Sequence, residues 1–251
     1  MELGLIGLGK MGGNMAERLR RAGHKVVGFD FSAEAVKRLS DSGSVGVSSL
    51  QDLVKNLAAP RAVWLMVVGT SGGVWGLQEG YSMMVGGDED VVERLRPVFE
   101  ALAPGKDKGW GHTGPAGAGH FVKMVHNGIE YGMMEAYAEG FAIMGHKKEL
   151  NLDLTQIAEI WRYGSVVRSW LLDLTADALK KNPTLDGLEP YVVDSGEGRW
   201  TVAEAIDLNV SAPVITESLI RRIRSREANN FTDRMLAIMR SEFGGHAVKK
   251  D

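Results

Sequence analysis

The chain has 251 residues, of which 44% are hydrophobic, and its formal net charge is −3 at pH 7. This composition suits one large or two small globular domains, and the lack of a basic excess argues against a nucleic-acid partner. The absence of cysteine excludes disulfides and thiol catalysis and fits a cytoplasmic protein. No apolar run is long enough to span a membrane, and the N-terminus lacks the charged region of a signal peptide, so neither is expected.

The first thirty residues contain two strand patterns separated by a glycine turn and a helix pattern. The apolar run 2–6 leads into a G-x-G-x-x-G segment, and the helix pattern that follows ends at Gly23. The second apolar run, 25–29, ends at an acidic residue. This order is typical of dinucleotide-binding folds, in which the helix N-terminus binds the pyrophosphate. The pattern therefore predicts cofactor contacts from Gly7, Leu8, Gly9, Lys10, Met11, Gly12 and Asp30.

Asp30 also indicates which dinucleotide is bound. Its carboxylate can accept hydrogen bonds from both ribose hydroxyls and would repel a 2′-phosphate, and Phe31 and Ser32 offer no cation. Lys37 and Arg38 follow nearby, which weakens the discrimination. NAD is thus favoured over NADP, and an acidic turn residue without a binding role is the alternative.

Strand-like and helical runs alternate up to about residue 110. The pattern predicts strands near 44–47, 62–67 and 81–85 and helices near 33–40, 49–57 and 88–102. The Gly-rich stretch 105–119 is interpreted as a connection, and the pattern beyond it is helical almost throughout. The predicted fold is therefore an α/β dinucleotide-binding domain over residues 1–112, followed by an all-helical substrate and dimerisation domain over residues 113–251.

A polar stripe lies in the middle of the chain. Counted from Lys123, the residues His126, Asn127, Glu130 and Tyr131 stand at i+3, i+4, i+7 and i+8, so a helix places them along one face. Lys, His and Glu together can supply a base, a hydrogen-bond donor and an acid. The stripe alone is equally compatible with an amphipathic helix whose polar face is solvated.

Three segments carry a resemblance to a known family. Residues 114–131, GPAGAGHFVKMVHNGIEY, resemble the central motif of the 6-phosphogluconate dehydrogenases, in particular the short, NAD-preferring bacterial form. Residues 70–73 resemble the substrate loop of the wider β-hydroxyacid dehydrogenase superfamily. Residues 240–246 are similar to the family's tail, which reaches into the partner subunit's active site. The resemblance covers nearly the whole chain.

The resemblance implies an enzyme of the pentose phosphate pathway and of gluconate utilization. It implies a homodimer that carries out the NAD-dependent oxidative decarboxylation of 6-phosphogluconate to ribulose 5-phosphate and CO2, without a metal. Lys123 would act as the base and Glu130 as the acid. The substrate-binding residues would be Ser71, Gly72, Gly73, His126, Asn127, Tyr131, Arg222, Arg240 and His246. Four of these have structural alternatives: a turn for Ser71, a core position for Tyr131, a solvated basic helix face for Arg222 and a frayed end for His246.

The sequence departs from the family at two places. Glu197 stands close to where the family has a threonine that holds the phosphate end of the substrate. After Val67 the family's second helix–strand–helix–strand stretch, roughly 40 residues, is missing, so the Rossmann-type sheet is truncated. An exposed sheet edge, an uncovered apolar helix face and the loss of the wall behind the nicotinamide are expected. The alternatives are another β-hydroxyacid dehydrogenase, or a non-catalytic nucleotide-binding or dimerising remnant.

Overall fold

The computed structural model describes residues 1–65, 69–228, 230–245 and 247–249. The chain forms two compact units, Met1–His126 and Asn127–Asp251. The junction between Val67 and Val68 and the tail residue His246 lie outside the described residues. Among the helices of the described ranges, none is both long and apolar enough to cross a membrane.

The first unit begins with a parallel sheet that confirms the predicted fold class. Its strands have the spatial order β3-β2-β1-β4. They are β1 (Glu2–Ile6), β2 (Lys25–Phe29), β3 (Val45–Val47) and β4 (Val63–Leu65). Strands β1 and β2 are buried on both faces, as expected for a parallel sheet covered by helices. In the described part of the chain β4 stands at one edge of this sheet.

Three helices connect these strands where the apolar periodicity predicts them. They are α1 (Lys10–Arg21), α2 (Ala33–Asp41) and α3 (Leu50–Lys55). Serine side chains accept hydrogen bonds at two helix starts, Ser32 from Ala35 N–H and Ser49 from Asp52 N–H. Such N-caps satisfy backbone donors that have no partner within the helix.

A second sheet in this unit has the order β5-β6-β7. Its strands are β5 (Thr70–Ser71), β6 (Ser82–Gly86) and β7 (Trp110–Gly114), and the short helix α4 (Gly76–Glu79) and the longer α5 (Glu89–Leu102) lie between them. β5 runs antiparallel to β6, whereas β7 runs parallel to it. The interpretation of 105–119 as a mere connection is therefore wrong. Glycines hide the strand pattern of β7, whose backbone is stabilised by pairing with β6.

Both sheets contribute to one apolar core. Buried residues of the first sheet and α1, such as Leu5 and Met15, share this core with Tyr81 and Phe99 from around the second. Trp64 on β4 meets Phe99 edge-on, with ring centroids 5.8 Å apart. The two sheets of the first unit therefore share a joint hydrophobic core.

Arg18 links α1 to the far end of this core. Its guanidinium donates hydrogen bonds to the carbonyls of Ala101 (3.0 Å) and Ala103 (2.5 Å) at the end of α5. A third bond reaches the carbonyl of Leu77 on α4, at 3.1 Å. A cation close to helix C-terminal carbonyls is favourable because those carbonyls lack partners within the helix and the helix dipole is negative there.

The remaining elements are helices, as the sequence predicts. They are α6 (Ala118–His146), α7 (Leu154–Trp161), α8 (Trp170–Lys181), α9 (Glu197–Asp207), α10 (Pro213–Arg224) and α11 (Phe231–Gly244). In the second unit, α7 and α8 bury Ala158, Ala176 and Leu179 against each other. Helix α11 has no buried residue, and its Phe243 is 97% exposed.

Candidate functional site

The glycine turn after β1 leaves space at the start of α1. Gly7 has a φ of 97°, a conformation that favours glycine. Gly9 is the N-cap residue of α1, and no side chain accepts a capping hydrogen bond there. The position that a Cβ of Gly9 would take is open, with no described atom within 4 Å. Lys10, Met11 and Gly12 form the first turn of α1. The turn fits a pyrophosphate because backbone N–H groups at a helix start attract anions.

Asp30 lies beside this turn. The backbone N–H of Leu8 donates to its Oδ2 at 2.6 Å, and that of Ser32 donates to its Oδ1 at 2.8 Å. These two bonds, first that from Leu8, hold the pKa of the Asp30 carboxyl below its usual range. The carboxylate is thus ionised at neutral pH, and each oxygen has a further lone pair for a hydroxyl donor. The structure therefore places Asp30 next to the glycine turn that contains Gly7, Leu8 and Gly9.

The cations near Asp30 are engaged elsewhere. Lys37 pairs with Asp41 at 2.8 Å, and Arg38 pairs with Glu34 at 2.8 Å, both along α2. Phe31, directly after Asp30, is 96% exposed. The surroundings of the carboxylate therefore offer a ribose a hydrogen-bond acceptor and an aromatic face.

The predicted substrate loop follows β5. Ser71 pairs with Ser82 on β6, so its backbone belongs to the second sheet. Gly72 has a φ of 132° and Gly73 a φ of 49°. A Cβ on Gly72 would lie 3.0 Å from the Tyr81 ring, so both conformation and space require glycine there. Ser71 ends a paired strand, and a turn begins directly after it at Gly72.

Lys123 and His126 are in contact on the first turns of α6. The Nζ of Lys123 lies 3.3 Å from the Nδ1 of His126, and both side chains are partly buried. Asn127 and Glu130 follow on the same helix and are also partly buried. The polar stripe is therefore not a fully solvated helix face. It offers an amine and an imidazole within hydrogen-bonding distance, as proton transfer requires.

In the second unit Arg222 covers Tyr131. The Cζ of Arg222 is 3.5 Å from the centroid of the Tyr131 ring, and Arg222 Nη1 donates to the carbonyl of Val193 at 3.1 Å. Tyr131 is 6% exposed, and its buried hydroxyl has no hydrogen-bond partner among the described residues. A buried hydroxyl without a partner costs roughly 1–3 kcal/mol. Arg222 is thus part of a cluster and not simply of a solvated face.

The loop before α9 contains an acidic residue for which no role was predicted from the sequence. Asp194, whose side chain is 1% exposed, pairs with Arg199 at 2.5 Å and with Arg226 at 3.3 Å. Burial alone would raise its pKa, but hydrogen bonds from Arg199 and the Gly196 N–H lower it below the usual range. Because Arg199 and Arg226 come from separate segments, no local motif identifies Asp194.

Glu197 is the first residue of α9. The Ser195 hydroxyl donates to the Glu197 carboxylate at 2.5 Å. A Cβ on the adjacent Gly198 would lie 2.6 Å from the Tyr131 ring, so this helix start packs directly on Tyr131. The helix start that carries Glu197 therefore lies against Tyr131. Arg240 is exposed on α11, and its predicted companion His246 lies outside the described residues.

The parallel sheet, the glycine turn at a helix start and the ionised acid after β2 define a class of protein, the NAD(P)-binding oxidoreductases. A family model described as the NAD binding domain of 6-phosphogluconate dehydrogenase matches residues 2–70 and again 68–111. A model described as 6-phosphogluconate dehydrogenase, C-terminal domain, matches residues 119–242. The chain belongs to the 6-phosphogluconate dehydrogenase family.

Two relatives align with this chain over its whole length. The NAD(+)-dependent, decarboxylating 6-phosphogluconate dehydrogenase of Haloferax volcanii is 38% identical over 298 positions, covering 100% of this chain and 99% of the relative. The Bacillus subtilis protein YqeC is 37% identical over 299 positions and both chains are covered completely. Because this chain has 251 residues, at least 298 minus 251, or 47, positions of the Haloferax volcanii alignment have no counterpart in it. The two ranges matched by the NAD-binding model overlap at residues 68–70. This is the place, directly after Val67, where the missing segment is predicted.

Solved structures agree with the fold. The Plasmodium falciparum 6-phosphogluconate dehydrogenase has a TM-score of 0.79 at 24% identity, covering 100% of this chain and 66% of that one. The 3-hydroxyisobutyrate dehydrogenase of Salmonella typhimurium has a TM-score of 0.64 at 19% identity, covering 87% and 92%. These likenesses concern the fold alone.

Proposed function

We propose that the chain catalyses the NAD-dependent oxidative decarboxylation of 6-phosphogluconate to ribulose 5-phosphate and CO2, with turnover severely reduced by the missing segment. The observation that carries the proposal is the contact of Lys123 with His126 on the helix that continues to Glu130 and Tyr131. The name of the Haloferax volcanii relative supports the substrate. The reaction would place the chain in the cytoplasm, in the pentose phosphate pathway and in gluconate utilization. The boundary between the dinucleotide-binding domain and the helical domain would lie between residues 112 and 113.

Lys123 acts as the base in this proposal. NAD, when bound, supplies the acceptor for the hydride that leaves the carbon bearing the hydroxyl. Neutral Lys123 takes the hydroxyl proton, which leaves a β-keto acid. The bond to the carboxylate then breaks, CO2 departs, and the electron pair becomes an enediol as Lys123 returns its proton to the ketone oxygen. Glu130 then protonates carbon while Lys123 takes back the proton of the enediol hydroxyl, which gives the neutral ketose.

His126 orients the reacting hydroxyl. When Lys123 donates to Nδ1, the proton of the imidazole resides on Nε2, which then points a donor away from Lys123. Asn127 and the Ser71, Gly72 and Gly73 loop hold the other hydroxyls and the carboxylate. The Asn127 amide and the donors of this loop are uncharged. They can bind substrate oxygens without taking the proton that Lys123 accepts.

Tyr131 and Arg222 bind the phosphate end of the substrate. The unpartnered hydroxyl of Tyr131 and the guanidinium over its ring are donors of the kind that phosphate oxygens require. Glu197 opposes a dianion there, which lowers the affinity without removing the donors. Arg240 and His246 come from the neighbouring subunit of a homodimer. The exposed apolar side chains of α11, among them Phe243, support such an assembly.

NAD is the preferred cofactor. Asp30 is ionised, and the two cations that could compensate a 2′-phosphate, Lys37 and Arg38, are already paired with acids of α2. Exposed ion pairs of this kind are weak, so the preference is finite and not absolute.

The missing segment favours a second candidate, a nucleotide-binding and dimerising remnant without catalysis. The segment would have formed the wall behind the nicotinamide and supplied an asparagine beside the reacting hydroxyl. A misplacement of about 1 Å can cost on the order of a hundredfold in rate. The retained cofactor turn and the altered catalytic surroundings are both compatible with binding in the absence of turnover.

The two candidates are separated by NADH formation measured beside NAD binding. We expect slow turnover of 6-phosphogluconate, at least about a hundredfold below that of the Haloferax volcanii relative. Lys123→Met should abolish it, whereas Lys106→Met, at an exposed position, should not. NAD binding without any turnover would identify the remnant, and turnover of 3-hydroxyisobutyrate alone would identify another β-hydroxyacid dehydrogenase. Light scattering that shows a monomer at micromolar concentration would contradict the homodimer.

A further inference from the structure

The beginning of α6 touches β6 without intervening side chains. A Cβ on Gly119 would lie 2.2 Å from the carbonyl oxygen of Met84, and a Cβ on Gly86 would lie 2.6 Å from that of Pro115. Real Cβ atoms do not approach this closely, so the helix start and the strand end pack backbone against backbone. Neither contact involves a flexible side chain that could move aside.

Gly69 makes a third contact of this kind, and this one reaches Lys123. A Cβ on Gly69 would lie 2.3 Å from the Gly119 carbonyl oxygen and 3.0 Å from the Cβ of Lys123. In a helix the Gly119 carbonyl is the acceptor expected for the N–H of Lys123, four residues later. A side chain at residue 69 would therefore press on both the backbone and the first carbon of Lys123.

Gly69 is also fixed to the predicted substrate loop. Its carbonyl accepts the N–H of Met84 at 3.1 Å, and the next two residues, Thr70 and Ser71, pair with β6. The backbone of Gly69 does not adopt a positive φ, so the requirement for glycine is one of space. The same residue thus determines how closely Lys123 approaches the strand that ends at Ser71.

We propose that Gly69 is a positioning residue for Lys123. It sets the distance between the amine and the Ser71, Gly72 and Gly73 loop by allowing α6 to lie directly on β5 and β6. The inference rests on the proposed function in that Lys123 is taken as the base. Alanine at residue 69 would push the helix start away from the sheet, and a displacement of about 1 Å is enough to lower the rate on the order of a hundredfold.

The test compares Gly69→Ala with two control variants. Gly46→Ala is also crowded, since its Cβ would lie 2.7 Å from the Val36 carbonyl oxygen, but it is on β3, away from α6. Gly111→Ala places a Cβ in open space on β7. The first control measures the effect of destabilisation by itself, and the second measures the effect of a methyl group on a strand.

The main readout is the acetylation rate of Lys123 under trace labelling with acetic anhydride, relative to that of Lys106, by peptide mass spectrometry. The rate should change at least about threefold in Gly69→Ala, because the contacts of the amine change, and stay constant in both controls. Turnover, where it is measurable, should fall at least about tenfold in Gly69→Ala. It should remain unchanged in Gly46→Ala, even when this control is destabilised as much as Gly69→Ala.

Unchanged Lys123 labelling in folded Gly69→Ala, or an equal change in Gly46→Ala, would overturn the proposal. If Gly69→Ala does not fold, Gly86→Ala replaces it, because its Cβ presses on the same turn of α6, and unchanged labelling there has the same meaning. A wild-type chain that gives no NADH with 6-phosphogluconate would refute the proposed function alone, since labelling does not depend on turnover.

Discussion

The guanidinium of Arg222 lies over the ring of Tyr131, with Cζ 3.5 Å from the ring centroid, and the buried Tyr131 hydroxyl has no partner among the described residues. Stacking of this kind orders both side chains and leaves the remaining guanidinium donors for another acceptor. The proposed phosphate site uses both groups, the Tyr131 hydroxyl and the guanidinium of Arg222.

Tyr131→Phe should separate stability from ligand binding. Removing a buried hydroxyl that has no partner should leave the free protein equally stable or more stable by about 1 kcal/mol in chemical unfolding. Calorimetric affinity for 6-phosphogluconate should fall about tenfold, the loss expected for one hydrogen bond to a charged group. Tyr163→Phe, at an exposed position, is the control. A destabilised Tyr131→Phe protein would show that the hydroxyl has a partner in solution.

Asp30→Ala should reduce the discrimination between the two dinucleotides. The variant loses the acceptor for the ribose hydroxyls and the repulsion of a 2′-phosphate, so the Kd for NAD should rise about tenfold more than that for NADP. Fluorescence titration with NADH and NADPH measures both constants. Glu34→Ala, which releases Arg38 from its ion pair, should by contrast favour NADP slightly. A wild-type chain that binds NADPH as tightly as NADH would contradict the role given to Asp30.

Asp194 should make stability depend on pH in the acid range. Its folded pKa is below the ordinary value of 3.8, so its ion pairs contribute fully above that value and are lost as the pH falls through the lowered pKa. Asp194→Asn removes both ion pairs but leaves the charges on partly exposed arginines, so it should cost about 1 kcal/mol at pH 7. Urea unfolding at pH 7 and pH 3 measures both effects, and the difference between variant and wild type should shrink at pH 3. Asp207→Asn, at an exposed position, should show neither.

Arg18→Met should destabilise the first unit. The variant loses three charge-assisted bonds to the carbonyls of Leu77, Ala101 and Ala103, an effect of about 3 kcal/mol in the free energy of unfolding. Arg20→Met, two residues along α1, removes only an exposed pair with Glu17 and should change stability little. Equal unfolding midpoints for the two variants would show that the carbonyls find other donors.

The sequence by itself determined the features that depend on neighbouring residues. The glycine turn, Asp30 and the strand–helix alternation around them are local, because a helix start and the strand before it are set by a few consecutive positions. The missing segment was also visible, since it interrupts the order of motifs. The family followed from a contiguous run, residues 114–131, most of which lie on α6.

Only the tertiary structure decided the features made by distant residues. β7 exists because β6 offers it backbone partners, although its own glycines give no strand pattern. Asp194 is held by Arg199 and Arg226, and Tyr131 is covered by Arg222. No local spacing marks the pairings of Asp194 with Arg226 and of Tyr131 with Arg222, because each joins separate segments. Gly69 requires glycine because Gly119 and Lys123 arrive against it from fifty residues further along the chain. Such requirements arise from close packing, in which the space available to a residue is set by atoms far away in the sequence.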